Sequence, residues 1–118
     1  TPARLLGSIT ALVRSELDES DSGTLAVITP EQYVKPLSES FKASSIEHGL
    51  VDDGALTSQV TIVPVDLVKG LEIDIAIVVE PSEILNSATN GERSLYVALT
   101  RATRRLIIIH AEDLPSVL

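Results

Sequence analysis

The sequence contains no cysteine and only two histidines. The absence of cysteine excludes a disulfide framework and thiolate metal sites, and two isolated histidines do not favour a zinc site. No apolar run approaches the ~18 residues of a membrane span, and no basic leader precedes an apolar stretch. The composition is therefore that expected of a soluble protein with no membrane partner, and it is consistent with a reducing, cytoplasmic setting.

Positive charge is also scarce, because 9 basic residues stand against 17 acidic ones and the net charge is -8. This balance argues against a surface that binds nucleic acid by phosphate neutralisation alone. The surplus acid is interpreted as a solvated surface that keeps the protein soluble, or as the contact for a protein partner with basic patches. Several of the basic residues lie in two segments of the second half of the chain: Lys69, Arg93, Arg101, Arg104 and Arg105.

A chain of 118 residues with 44% hydrophobic content suits one domain with one core. Two segments, Val60–Glu80 and Arg93–His110, combine a continuous apolar run with a short charged stretch. Such runs are typical of strands buried on both faces, and an open parallel sheet places its ligands where strands end. We expect Lys69, Gly70 and Glu72 to lie at a tight corner between two strands.

In the first half of the chain, helical spacing of apolar residues predicts a helix from about Pro2 to Leu17. An acidic loop is expected over Ser15–Gly23, followed by a strand over Leu25–Thr29. A capping box at Thr29–Gln32 then predicts a second helix, which Pro36 should kink or divide.

Between the second helix and the first long strand, residues 44–58 predict a short edge strand and a turn at Asp53-Gly54. His48 lies in this stretch and is expected at the surface. Strands are predicted over Val60–Val65 and Ile73–Val79. Because the link between them is too short for a helical crossover, they are expected to be antiparallel neighbours, or parallel only if the corner docks differently.

The remaining elements are a loop over Pro81–Thr89, a helix capped by Asn90, and a last strand over Leu106–Ile109. Arg101 is expected on the flank of this helix, on the same side as Ser94. The buried stripe of the helix is predicted to comprise Leu95, Ala98, Leu99 and Ala102. The expected fold is a three-layer α/β domain, with a mostly parallel sheet, helices on both faces and an incomplete N-terminus. A short docking turn is expected from Ala111.

The sequence has no phosphate loop of the form G-x-x-x-x-G-K-[ST], no G-x-S-x-G elbow and no H-E-x-x-H motif. The fixed fork of donors on Arg101 suits a phosphate that another part of the protein supplies. The alternative is that Arg101 binds the last carbonyls of its helix. Spacing alone favours this second interpretation.

Two motifs resemble those of a known family. K-G-L-E at Lys69–Glu72 followed by a β run, and L-Y-V-A-L-T-R-A at Leu95–Ala102 followed by R-R-L and another β run, resemble motifs V and VI of UvrD-like superfamily-1 helicases. Thr1-Pro2 resembles the end of motif IV. The resemblance implies that residues 1–118 are the C-terminal part of the second RecA-like domain of a longer ATPase. The P-V-x-L-x-K-G-L-E form is similar to the HelD branch, which is associated with RNA polymerase in bacteria.

The resemblance also implies roles at the matched positions. ATP would lie between two RecA-like domains, of which the first carries the phosphate loop and the acid that binds Mg²⁺. Arg101 matches the arginine that reaches the γ-phosphate, and Glu72 matches the glutamate that accepts from the ribose hydroxyl. Gly70 matches the glycine that lets the backbone approach the nucleotide. Lys69 and Thr100 are further motif members expected on the nucleotide side.

One departure affects the nucleic-acid side. Where UvrD-like translocases carry T-x-H before K-G-L-E, this chain has Pro64, Val65 and Asp66. An aspartate there would repel the phosphates of single-stranded DNA.

Three hypotheses follow from the residues and the resemblance. The chain belongs to a motor that couples ATP hydrolysis to movement on DNA, or to an ATPase that remodels a protein partner such as RNA polymerase. The third hypothesis is an α/β binding module without a motor role. Alone, the chain is expected neither to hydrolyse ATP nor to bind it tightly.

Overall fold

The computed structural model describes residues 2–19, 24–50, 59–86 and 91–110 of the chain. No helix in these ranges is long and apolar enough to cross a membrane. The elements are α1 (Pro2–Glu19), β1 (Leu25–Thr29), a 3₁₀ turn (Glu31–Tyr33), α2 (Val34–Ala43), β2 (Gly49–Leu50), β3 (Val60–Pro64), a 3₁₀ turn (Val65–Leu67), β4 (Ile73–Val79), α3 (Pro81–Asn86), α4 (Gly91–Leu99) and β5 (Ala102–Ile109).

The strands form one five-stranded sheet in the order β2-β3-β1-β4-β5. Every pairing within it is parallel. The predicted α/β class with a mostly parallel sheet is thereby confirmed. The prediction that β3 and β4 are antiparallel neighbours was wrong, because β1 lies between them and pairs with both.

The segment that joins β3 to β4, residues 65–72, replaces the helix expected of a parallel crossover. A stretch of this length can span up to about 28 Å, which exceeds the roughly 17 Å of a five-residue strand. Val65, Val68 and Leu71 are buried at a spacing of three, because the segment starts as a 3₁₀ turn whose side chains recur every third residue. The chain therefore returns across one face of the sheet.

Each face of the sheet has its own hydrophobic cluster, because successive residues of a strand point to opposite faces. Leu25 and Val27 of β1 lie in the cluster under α1 and α2. Ala26 and Ile28 lie in the cluster under residues 65–71, α3 and α4. All of β1 is buried, as expected of a central strand in a parallel sheet covered on both sides.

Helix α1 buries the predicted stripe, which includes Leu5, Ile9 and Val13. It runs to Glu19, so the loop predicted from Ser15 begins too early. Near this end of the helix, the side chain of Glu16 is buried although it is acidic. The guanidinium of Arg105 on β5 donates a hydrogen bond of 3.0 Å to this carboxylate and pairs with its charge.

The entry to α2 differs from the prediction. Thr29 does not form a capping box; its hydroxyl donates to the Pro30 carbonyl at 3.2 Å, and the 3₁₀ turn that follows has no side-chain cap. Pro36 lies in the first turn of α2, where a missing N–H has no helical carbonyl to bind. The helix therefore runs undivided to Ala43.

The predicted edge strand is confirmed as β2, which pairs with β3. His48, expected at the surface, is instead half-buried. Its Nε2 lies 2.8 Å from the Ser38 hydroxyl and its Nδ1 lies 3.0 Å from the Ile46 carbonyl, while its ring meets that of Phe41 edge-on. The predicted turn at Asp53-Gly54 and the turn from residue 111 lie outside the described residues.

The stretch predicted as a loop after β4 contains a helix, α3, with Pro81 at its first position and Ile84 buried. Helix α4 follows and buries Leu95 and Ala98, as predicted. It ends at Leu99, so Ala102 belongs to β5 rather than to the helical stripe. The predicted cap at position 90 lies outside the described residues.

Candidate functional site

The two charged segments of the sequence meet at the amino-terminal edge of the sheet. Glu72 directly precedes β4 and Arg101 directly precedes β5. The first residues of these parallel neighbours, Ile73 and Ala102, are register partners. Adjacent strands lie about 4.8 Å apart, so Glu72 and Arg101 occupy neighbouring backbone positions.

The segments that carry these residues also approach from the same face of the sheet. Leu71 and Ala98, which lie just before Glu72 and Arg101, belong to one hydrophobic cluster, and Ala102 packs against it. The crossing segment carries residues 69–72 back to the beginning of β4, so the corner lies at the amino-terminal edge of the sheet.

The corner itself is a tight turn, as predicted. The N–H of Leu71 donates to the Val68 carbonyl at 3.2 Å, and Gly70 has a φ of 84°. A positive φ at the third residue of such a turn is the mark of a type II turn, which favours glycine. Apart from Gly70 and its two chain neighbours, no atom of the described residues lies within 4 Å of the point where a Cβ on Gly70 would stand. Lys69 and Glu72 are exposed. The turn therefore leaves its backbone open to a ligand.

The end of α4 determines the surroundings of Arg101. The Thr100 hydroxyl donates to the carbonyls of Tyr96 and Val97 at 2.9 and 3.2 Å, and the Arg101 N–H donates to Ala98 at 3.5 Å. These bonds satisfy the carbonyls of Tyr96, Val97 and Ala98 near the end of the helix. Binding such carbonyls was the alternative role predicted for the Arg101 side chain. Since the helix stops at Leu99, the prediction that Arg101 lies on its flank was wrong.

One nitrogen of Arg101 stands out within the described part of the chain. Its Nε is buried and has no hydrogen-bond partner there. A buried donor without an acceptor costs roughly 1–3 kcal/mol, or more when the group is charged. The hydrogen-bonding capacity of this nitrogen is therefore unmet among the described residues.

A polar network that the sequence did not reveal lies beside these residues. The Thr24 N–H donates to Asp74 Oδ2 at 2.9 Å, and the Asp74 N–H donates to the Thr24 hydroxyl at 3.2 Å. The Thr103 hydroxyl lies 3.3 Å from both the Ile73 carbonyl and Asp74 Oδ1, and it can donate to either. We name this the Thr24–Asp74–Thr103 network. Its only signal in the sequence is a polar residue near the start of each strand.

The carboxyl edge of the sheet has a different character. Asp66, expected to repel phosphate, is exposed just after β3, and Pro64 is partly buried. Glu80 directly follows β4, has a φ of 49° and is buried. The Tyr33 hydroxyl donates a 2.6 Å hydrogen bond to the carboxylate of Glu83, which lies three residues after Glu80. Asp66 is thus an exposed acidic group at this edge, whereas the amino edge carries Lys69 and Arg101 together with Glu72.

No group of three or more acidic or histidine side chains that could hold a metal ion occurs among residues 2–19, 24–50, 59–86 and 91–110.

The segment from residue 59 to 109, a little under half of the chain, matches the family model of the UvrD-like helicase C-terminal domain. It contains all five residues predicted for the site, Lys69, Gly70, Glu72, Thr100 and Arg101. The resemblance predicted from the two motifs is thereby confirmed for this segment. No curated protein matches the sequence.

Two solved structures share the fold. The C-terminal domain of a possible DNA helicase from Lactobacillus plantarum has a TM-score of 0.75 and 21% identity, over 96% of this chain and 70% of that one. The helicase domain of Hef from Pyrococcus furiosus has a TM-score of 0.62 and 13% identity, over 92% of this chain and 26% of that one. At these identities the similarity shows the fold.

Proposed function

We propose that this chain is part of an ATP-driven helicase motor and supplies one wall of its ATP cleft. The observation that carries the proposal is the buried, unpartnered Nε of Arg101 at the sheet edge that also holds Glu72. The match of residues 59–109 to the UvrD-like helicase C-terminal domain supports it. On this proposal the phosphate loop and the acid that binds Mg²⁺ belong to another RecA-like domain of a longer protein.

The residues at the amino edge fit a nucleotide. Arg101 offers a donor without an acceptor, and its fixed positive charge suits a phosphate. Glu72 is an exposed acceptor suited to a ribose hydroxyl, and the open backbone at Gly70 allows a close approach. The exposed Lys69 adds positive charge, and Thr100 keeps its lone pairs free to accept while its proton serves the helix end.

Bound Mg²⁺-ATP would supply the phosphoryl group whose transfer to water drives the motor. The contribution of Arg101 would be to hold positive charge where negative charge increases during that transfer.

The direct test is to replace Arg101 with alanine in the full-length protein. We expect kcat for ATP hydrolysis to fall by about 1,000-fold, while the Kd for ATP changes only a few-fold. The measurements are steady-state phosphate release and equilibrium binding of a fluorescent ATP analogue. Turnover equal to that of the unmodified protein would refute the assignment.

Arg93→Ala is the matched control for this test. Arg93 is an exposed arginine at the beginning of α4, eight residues before Arg101. Its replacement removes the same charge and should leave both kcat and Kd unchanged. An equal loss in both variants would indicate a general effect of charge and not a specific role.

The second candidate function is an ATPase that remodels a protein partner, such as RNA polymerase, as the HelD-like motif form suggests. The exposed Asp66 and the net charge of -8 favour it, since both disfavour contact with nucleic acid. It predicts that ATPase activity depends little on single-stranded DNA. Strong DNA stimulation that falls steeply with salt would favour the DNA motor instead. A full-length protein that hydrolyses no ATP would favour the plain binding module.

A further inference from the structure

The β4–β5 pairing is irregular at the very point where the candidate site lies. Ile73 pairs with Ala102, but the next register pair is Ile75 with Arg105. Two residues of β5, Thr103 and Arg104, therefore face the single residue Asp74 of β4. Such a bulge disrupts the backbone ladder and turns the strand locally.

The Thr24–Asp74–Thr103 network spans this irregularity. The Thr103 hydroxyl reaches the Ile73 carbonyl and the Asp74 carboxylate from the bulged strand. Asp74 is in turn held by two reciprocal hydrogen bonds with Thr24, which precedes the central strand β1. The start of β5 is thus fastened by side chains to the middle of the sheet.

The network lies two residues from each end of the candidate site. Thr103 follows Arg101 by two positions, and Asp74 follows Glu72 by two positions. The Ile73–Ala102 pair places Glu72 and Arg101 beside each other, but the ladder is interrupted directly after that pair, which stands alone at this end of β5. The side-chain hydrogen bonds of Asp74 and Thr103 hold this end of β5 in addition.

We infer that Asp74 and Thr103 are positioning residues that place Arg101 against the nucleotide through the hydrogen bonds across the β5 bulge. This inference rests on the proposed function, since it assigns a task to residues that serve Arg101. Neither residue is assigned contact with the nucleotide. An arginine whose role is to meet developing charge depends steeply on placement, and a misplacement of 1 Å can lower turnover by about 100-fold.

The test uses Thr103→Val in the full-length protein. Valine has the shape of threonine and suits a strand, but it cannot donate the hydrogen bond. Because Thr103 is exposed, the melting temperature should stay close to that of the unmodified protein. We expect kcat for ATP hydrolysis to fall roughly 10-fold and KM to change less than about 2-fold.

Three further variants separate positioning from general structure. Thr103→Ser keeps the hydroxyl and should restore turnover, while Asp74→Asn removes the charged acceptor and should repeat the loss. In the double variant Arg101→Ala/Thr103→Val, kcat should equal that of Arg101→Ala alone, because no arginine remains to be positioned.

The outcomes are distinguishable. If Arg101→Ala lowers turnover but Thr103→Val does not, the positioning role is overturned and the proposed function stands. The positioning role is also overturned, and the proposed function stands, if Thr103→Val lowers turnover by the same factor in the unmodified protein and in the Arg101→Ala variant. If Arg101→Ala leaves turnover unchanged, the proposed function fails and the positioning role fails with it.

Discussion

Two glycines of the described chain should respond in opposite ways to the same substitution. Gly7 is exposed in α1 with ordinary helical geometry, so Gly7→Ala should stabilise the protein by about 0.5–1 kcal/mol. Gly70 has a φ of 84°, so Gly70→Ala should destabilise it by about 1–2 kcal/mol although the space around it is open. Urea unfolding of the two variants measures both changes. Equal changes of the same sign would contradict the turn geometry.

At the scale of single residues, the sequence indicated which residues belong to the candidate site better than it indicated their contacts and burial. The corner at Gly70 could be predicted because a glycine between two apolar runs has few other uses. The unpartnered nitrogen of Arg101 could not, since it depends on Thr100 binding the helix end first. Asp74 and Thr103 were missed because their partners lie about 50 and 30 residues away in the chain.

At the scale of elements, α3 and α4 come into close backbone contact at Gly91. A Cβ added to Gly91 would lie 1.8 Å from the Leu85 carbonyl oxygen and 2.6 Å from its carbon. Gly91→Ala must therefore displace the end of α3 or the start of α4. We expect a loss of about 1–3 kcal/mol in the free energy of unfolding, measured in urea.

Arg93→Ala, two residues further along α4, is the control for this prediction. Alanine is a good helix former, and Arg93 is exposed, so the change should lie within about 0.5 kcal/mol of zero. A Gly91→Ala variant as stable as Arg93→Ala would show that the two helices do not approach as closely as described.

Strands were easier to predict than their pairing. The apolar runs of β1, β3 and β4 predicted each strand to within one residue, because buried strands of a parallel sheet are continuously apolar. The order of the strands cannot be read from the residues within each strand. The rule that a parallel crossover needs about a dozen or more residues led to the wrong prediction that β3 and β4 are antiparallel neighbours. The three-residue spacing of Val65, Val68 and Leu71 was the available sign that the link crosses a face.

At the scale of the whole molecule, layers cover both faces of the sheet and leave its edges as the places for a ligand. The amino edge carries Lys69, Glu72 and Arg101, while acidic groups, including Asp66 and Glu80, lie at the carboxyl edge. The sequence predicted the layers from composition and spacing. It did not predict which edge holds the motifs, because that depends on the path of the crossing segment.

We propose that the nucleotide binds at the amino edge of β4 and β5. Hydrogen–deuterium exchange of the full-length protein, with and without Mg²⁺ and a non-hydrolysable ATP analogue, tests it most directly. We predict slower exchange on binding in peptides that cover residues 69–72 and 100–103, with none in those covering 48–50 or 80–83. Unchanged exchange at the amino edge, or protection confined to residues 80–83, would contradict the claim.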